Sequence, residues 1–124
     1  MKSGWIEHKG KKIFMARYND FNKIEQLEDG EILFVTQTLI KEPEKSVLLL
    51  VDVRNSPGTP RRVDSLKDSA LKLKNIIRKT AIVGVLGIKK ILLNAVITFS
   101  GMELHSFEDI EAAKEWLVSE QKGN

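Results

Sequence analysis

Two short stretches of the chain are apolar at consecutive positions. They are Val47-Leu48-Leu49-Leu50-Val51, closed by Asp52, and Ala81-Ile82-Val83-Gly84-Val85. Five residues are too few for a helix, and neither stretch alternates with polar residues. Such a run reads as a strand covered on both faces. Between them, residues 62–78 place Leu66, Ala70, Leu73 and Ile77 at spacings of four, three and four, with Val63 and Ile76 alongside. That period predicts an amphipathic helix. A strand, a helix and a second strand form a crossover unit, so 47–51 and 81–85 are expected to be parallel neighbours.

The remaining pattern extends this unit in both directions. Residues 5–8 and 12–18 read as two strands around Lys9-Gly10, where the glycine permits a tight turn. Residues 23–41 predict a helix with Ile24, Leu27, Ile32, Leu33, Val35, Leu39 and Ile40 as its apolar positions, weakened at Gly30 and ended by Pro43. Ile88, Ile91, Leu92, Ala95 and Phe99 predict a helix over 88–99, and residues 102–107 a last short strand. Ile110, Ala113 and Leu117, with Trp116 beside them, drive a final helix; Ser106 and Asp109 have the spacing of a capping box before it. The predicted order is β-β-α-β-α-β-α-β-α. It describes one α/β domain over residues 1–124, with a mostly parallel sheet of four or five strands, an N-terminal hairpin and about four helices.

Composition narrows the chemistry. The 124 residues contain no cysteine and two histidines, His8 and His105. Disulfides, thiolate nucleophiles and cysteine-bound metals are excluded, and neither a metal site nor a cofactor is expected. No apolar run approaches the roughly 18 residues of a membrane helix. The first residues lack the apolar core of a signal peptide, so a cytoplasmic location is the expectation. Net charge is +3, but residues 54–98 carry ten basic side chains against Asp64 and Asp68 alone. That middle segment can attract anions or acidic partners. Arg61, Arg62, Lys72, Lys74, Arg78, Lys79, Lys89 and Lys90 could form a basic surface, and a solvated face is the competing reading. Few aromatic residues accompany them, so no specific nucleic-acid partner is expected.

Asp52 is the most suggestive single residue, because ligands of open α/β sheets gather outside the carboxyl ends of the strands. Arg54 can grip a carboxylate or phosphate in a planar, two-pronged manner, and Asn55 and Ser56 add short donors and acceptors. Asp52, Arg54, Asn55 and Ser56 are therefore the candidate ligand- or partner-binding residues. The competing reading is a turn that caps itself through the Asp52 carboxylate. The hydroxyls of Ser56, Thr59 and Ser65 border the same loop. The spacing Gly84-x-x-Gly87 lacks a dinucleotide fingerprint and reads as close helix–strand packing; the loop after Asn55 is no phosphate-binding P-loop, and no catalytic triad is legible.

The stretches 46–55, 79–95 and 107–117, with the opening hairpin, resemble the SpoIIAA-like proteins of the STAS superfamily. The resemblance implies a SpoIIAA-like sheet of four or five strands with helices against it. It also implies binding of proteins or some nucleotides, and kinship with carrier folds that hold apolar ligands. Phospho-regulated members carry Asp-Ser-Ser-Gly at the helix after the central strand. Here Asp64-Ser65-Leu66-Lys67 keeps only the first two positions, so Ser65 is not expected to be a regulatory phosphosite. The expected function is a non-catalytic binding or regulatory module, its partner a protein or a small anionic or apolar ligand. One alternative is a carrier with a cleft lined by Leu92, Val96 and Phe99. The other is an enzyme with a polar site at Asp52, Arg54 and Asn55.

Overall fold

The computed structural model describes residues 3–19, 25–55, 60–84 and 103–119. Its strands are β1 (Gly4–His8), β2 (Lys11–Arg17), β3 (Val47–Asp52), β4 (Ile77–Val83) and β5 (Leu104–Phe107); its helices are α1 (Glu25–Leu39), α2 (Pro60–Leu73) and α3 (Ile110–Val118). The five strands lie in the order of the chain, β1-β2-β3-β4-β5. β1 and β2 form an antiparallel hairpin, and every later pairing is parallel. Gly10 holds a φ of 81° in the hairpin turn, a conformation that suits glycine.

The expected parallel neighbours are found, since Leu49, Leu50 and Val51 pair in register with Thr80, Ala81 and Ile82, but the second strand ends at Val83, short of Gly84, and Val85 lies outside the described residues. Because the strands follow in sequence order, crossovers of one hand place α1 and α2 on the same face. Val47, Leu49, Val51 and Val53 turn to that face and meet Ile32, Val35 and Leu39 of α1 and Leu73 of α2. Leu48 and Leu50 turn the other way, where Ala113 and Leu117 of α3 cover them together with Ile13, Met15, Ala81 and Val83. Both faces of β3 are thus buried, which explains its unbroken apolar run.

Three element readings need correction. Residues 77–78, assigned to the second helix, belong to β4; Ile77 is buried as a strand residue, and α2 ends at Leu73. The alternation that would have revealed this is broken by a bulge. Val47 pairs with Ile77 but Leu48 pairs with Lys79, so Arg78 is an extra residue in the ladder. Leu33 of α1 and Ile40, one residue past its end, do not join the buried stripe but are exposed, and the helix runs through Gly30 without a break. The N-cap of α3 is Asp109, whose side chain accepts a hydrogen bond from the Ala112 amide, and Ser106 remains in β5. The helix expected at 88–99 lies outside the described residues.

One polar contact links the helices inside the apolar layer. Thr36 Oγ1 donates to the Ile32 carbonyl at 2.8 Å, so the 2.6 Å contact with Ser69 Oγ is donated by Ser69. Leu50, fully buried at the centre of β3, is the natural probe of the sheet. Leu50→Ala is expected to lower unfolding free energy by about 2–5 kcal/mol, read from urea denaturation monitored by circular dichroism. A loss below about 1 kcal/mol would show that α3 does not close this face.

Candidate functional site

β3 ends on Asp52, and burial at that point forces a partner on the carboxylate. The residue is 2% exposed. Its Oδ1 accepts hydrogen bonds from the Arg54 amide at 3.1 Å and from Arg54 Nε at 3.0 Å, and Oδ2 accepts from Arg54 Nη2 at 2.8 Å. The first bond closes an Asx turn, and the other two form a bidentate, charge-assisted grip. Arg54 itself keeps 49% of its side-chain surface exposed. The self-capped turn foreseen as the alternative for Asp52 is therefore present, and it presents the arginine at the carboxyl edge of the sheet.

Neighbouring strands complete the frame. The Tyr18 amide donates to the Asp52 carbonyl, and the Val53 amide donates to the Val83 carbonyl. Arg17 is the register partner of Asp52 on β2. Paired residues on adjacent strands share a face, so Arg17 lies on the same face as Asp52, one strand away. Gly84 follows β4 with a φ of 98°, and a Cβ there would lie 2.5 Å from Arg54 Cγ and 2.9 Å from the Arg54 Cα and amide nitrogen. The glycine thus makes room for the Arg54 loop, which corrects its reading as a helix-packing residue. Asn55 is exposed with a φ of 60°. Ser56 and Thr59 lie outside the described residues. Ser65 sits within α2 and donates its hydroxyl to the Arg61 carbonyl one turn earlier. The fold brings Asp52, Arg54 and Asn55 together; Arg17 and Gly84 join them only through register, which no local motif encodes.

The opposite edge carries a second polar construction. α3 starts at the carboxyl edge and returns across the sheet, so its C-terminus arrives where β2 and β4 begin. Lys79, 4% exposed, donates to the carbonyls of Trp116 at 2.9 Å and Ser119 at 3.0 Å. Its ammonium lies 4.7 Å from the centre of the Trp116 ring. Lys11 donates to the Val118 carbonyl at 3.2 Å. Two cations thus meet the negative end of the helix dipole, in addition to the bonds the Trp116 carbonyl accepts from the Ser119 amide and hydroxyl. Burial holds the Lys79 ammonium below the usual lysine range, against the opposing pull of Glu103. On the exposed side of α3, hydrogen bonds from Lys9 and His8 hold the Glu115 carboxyl below its ordinary range. The bulge at Arg78 turns Lys79 towards α3, so this role was hidden by reading residues 77–78 as helix. The described basic residues of this segment are divided: Arg61 pairs with Asp29, Arg62 is buried, and Arg78 and Lys79 lie at the other end of the sheet. Lys89 and Lys90 lie outside the described residues.

Among the described residues, no group of three or more histidine, cysteine, aspartate or glutamate side chains could hold a metal ion, and no helix is long and apolar enough to cross a membrane. No family model matches the chain, and no curated protein matches it. A solved structure is similar across nearly all of both chains: an uncharacterized protein from the DUF3478 family with a SpoIIAA-like fold from Shewanella loihica PV-4. The TM-score is 0.65 at 18% identity, covering 93% of this chain and 91% of that one. The chain has a SpoIIAA-like fold. Identity at that level speaks for architecture alone.

Gly84 offers a direct probe of the Arg54 loop. Gly84→Ala is expected to cost more than about 1 kcal/mol in unfolding free energy, since a side chain at positive φ is strained even without a clash. Gly10→Ala meets nothing within 4 Å and is expected to cost less. Equal losses in parallel thermal melts would show that Arg54 does not press on Gly84.

Proposed function

We propose that this domain is a non-catalytic binding module that recognises a carboxylate- or phosphate-bearing partner at residues 52–56, with Arg54 as the contacting cation. One observation carries the reading. Arg54 is held bidentately by a carboxylate that is itself buried, yet half of its side chain faces solvent. A guanidinium fixed before binding loses little freedom when an anion arrives, which is the physical basis of preorganised recognition. Arg17 on the next strand adds positive charge, and Asn55 adds an exposed amide. The resemblance to STAS-superfamily proteins, which bind proteins and some nucleotides, supports the same reading.

In this reading Asp52 positions Arg54. Its two oxygens accept three hydrogen bonds from Arg54, an arrangement suited to a structural anion rather than a general base. The apolar-carrier alternative has its proposed lining outside the described residues.

Arg54→Ala alone mixes two effects, because it leaves Asp52 buried without its cation. We expect a loss of about 1–3 kcal/mol in unfolding free energy from that cause. The neutral pair Asp52→Asn with Arg54→Gln removes the buried charge together with the guanidinium. Native mass spectrometry of protein gently purified from its own cells is expected to show a retained species that this double variant loses, with a melting temperature near that of the unaltered protein. Retention of that species by the folded double variant would remove residues 52–56 as the site.

A further inference from the structure

At the amino edge of the sheet, opposite Arg54, lies a cleft of about 270 Å³. Four cationic residues line it: Lys11 and Lys12 from the start of β2, and Arg78 and Lys79 from the start of β4. Ser46 and Ser119 add hydroxyls, Leu48 and Leu117 supply its apolar part, and among the described residues no carboxylate lines it. We propose that this cleft is a second binding site, independent of residues 52–56, that takes a small phosphate-bearing anion.

The four cations divide into two pairs. Lys11 and Lys79 are already turned to the end of α3, where they meet a helix-terminal charge of roughly half an electron. They over-compensate it and leave the cleft strongly positive. Lys12 and Arg78 are both exposed, and among the described residues neither forms an ion pair. These two are the donors for a ligand. Among the described residues, Glu7 is the cross-strand register partner of Lys12 and Glu103 acts on Lys79; neither lines the cleft.

The bulge is the second, independent observation. A regular β3–β4 ladder would place Ile77 and Lys79 on one face. Instead Arg78 is inserted, Ile77 joins the α1–α2 core, and Lys79 faces α3. The insertion sets two consecutive cations at one cleft. Bulges commonly re-aim side chains in this way beside binding sites. The chemistry follows from size and charge. Pockets for drug-sized ligands run from roughly 300 Å³ upwards, so this one suits a smaller group. Phosphate brings up to two negative charges and several acceptor oxygens, which match a forked guanidinium and a lysine; the Ser46 and Ser119 hydroxyls already donate to the Pro43 and Trp116 carbonyls and only border the cleft.

The test is a titration of ¹⁵N-labelled full-length protein with inorganic phosphate, followed by amide chemical shifts, with chloride at matched ionic strength as the control. Saturable shifts are expected at Lys11, Lys12, Leu48, Arg78 and Ser119. Lys12→Ala and Arg78→Ala should each weaken binding about tenfold, the usual scale for one charge-assisted hydrogen bond. Both residues are exposed, so their thermal melts should be unchanged. Asp52→Asn with Arg54→Gln should leave this titration as it was, which separates the cleft from the other edge. Co-sedimentation with phosphatidic acid vesicles, lost in Arg78→Ala, would assign the phosphate to a lipid headgroup; response to free phosphate alone would assign it to a soluble ligand. No response to either probe, or shifts that chloride reproduces or that survive both alanine variants, would overturn the site.

Discussion

The burial of β3 on both faces is the constraint on which the rest of the structure depends. A strand with Val47, Leu49 and Val51 on one side and Leu48 and Leu50 on the other needs helices above and below. α1 and α2 close one face as crossovers, and α3 closes the other by turning back after the last strand. A charged group at the end of such a strand cannot remain unpartnered, because an isolated buried carboxylate is costly. Asp52 therefore dictates the conformation of the two residues that follow it, and Gly84 leaves the space in which Arg54 can comply.

The same logic operates at both ends of α3. Its first turn is capped by Asp109 at the carboxyl edge, and its last carbonyls are met by Lys79 and Lys11 at the amino edge. A nine-residue helix is too short to be stable alone, so these polar ends supplement the packing of Ala113 and Leu117. Fixing the helix in this way leaves cations at the amino edge of the sheet. Arg54 is the corresponding cation at the carboxyl edge. Each is a by-product of stabilising buried structure: Lys79 and Lys11 serve the end of α3, and Arg54 serves the buried Asp52 carboxylate.

Legibility in the sequence followed the length over which a pattern repeats. The two buried strands and their parallel pairing could be read because a short, unbroken apolar run fits little besides a strand covered on both faces. The hairpin could be read from the glycine between two short strands. Asp52 and Arg54 were legible because they directly follow the strongest run. Residues 77–78 were misread because Ile77 continues the four-three-four spacing of Leu66, Ala70 and Leu73, while the bulge at Arg78 erases the strand alternation. Leu33 and Ile40 were misassigned because hydrophobicity alone does not tell which flank of a helix meets the sheet. The contributions of Arg17, Gly84 and Lys79 depend on register and on where α3 ends, and neither is a local property of the chain.

The central claim is that Arg54 is a fixed cation before any partner arrives. ¹⁵N relaxation of the Arg54 side-chain Nε–H group, measured on the free protein, tests it most directly. Clamping by Asp52 and close packing on Gly84 predict an order parameter near the roughly 0.85 of rigid backbone. A value below about 0.6, in the range of flexible groups, would show a mobile surface arginine and contradict the account.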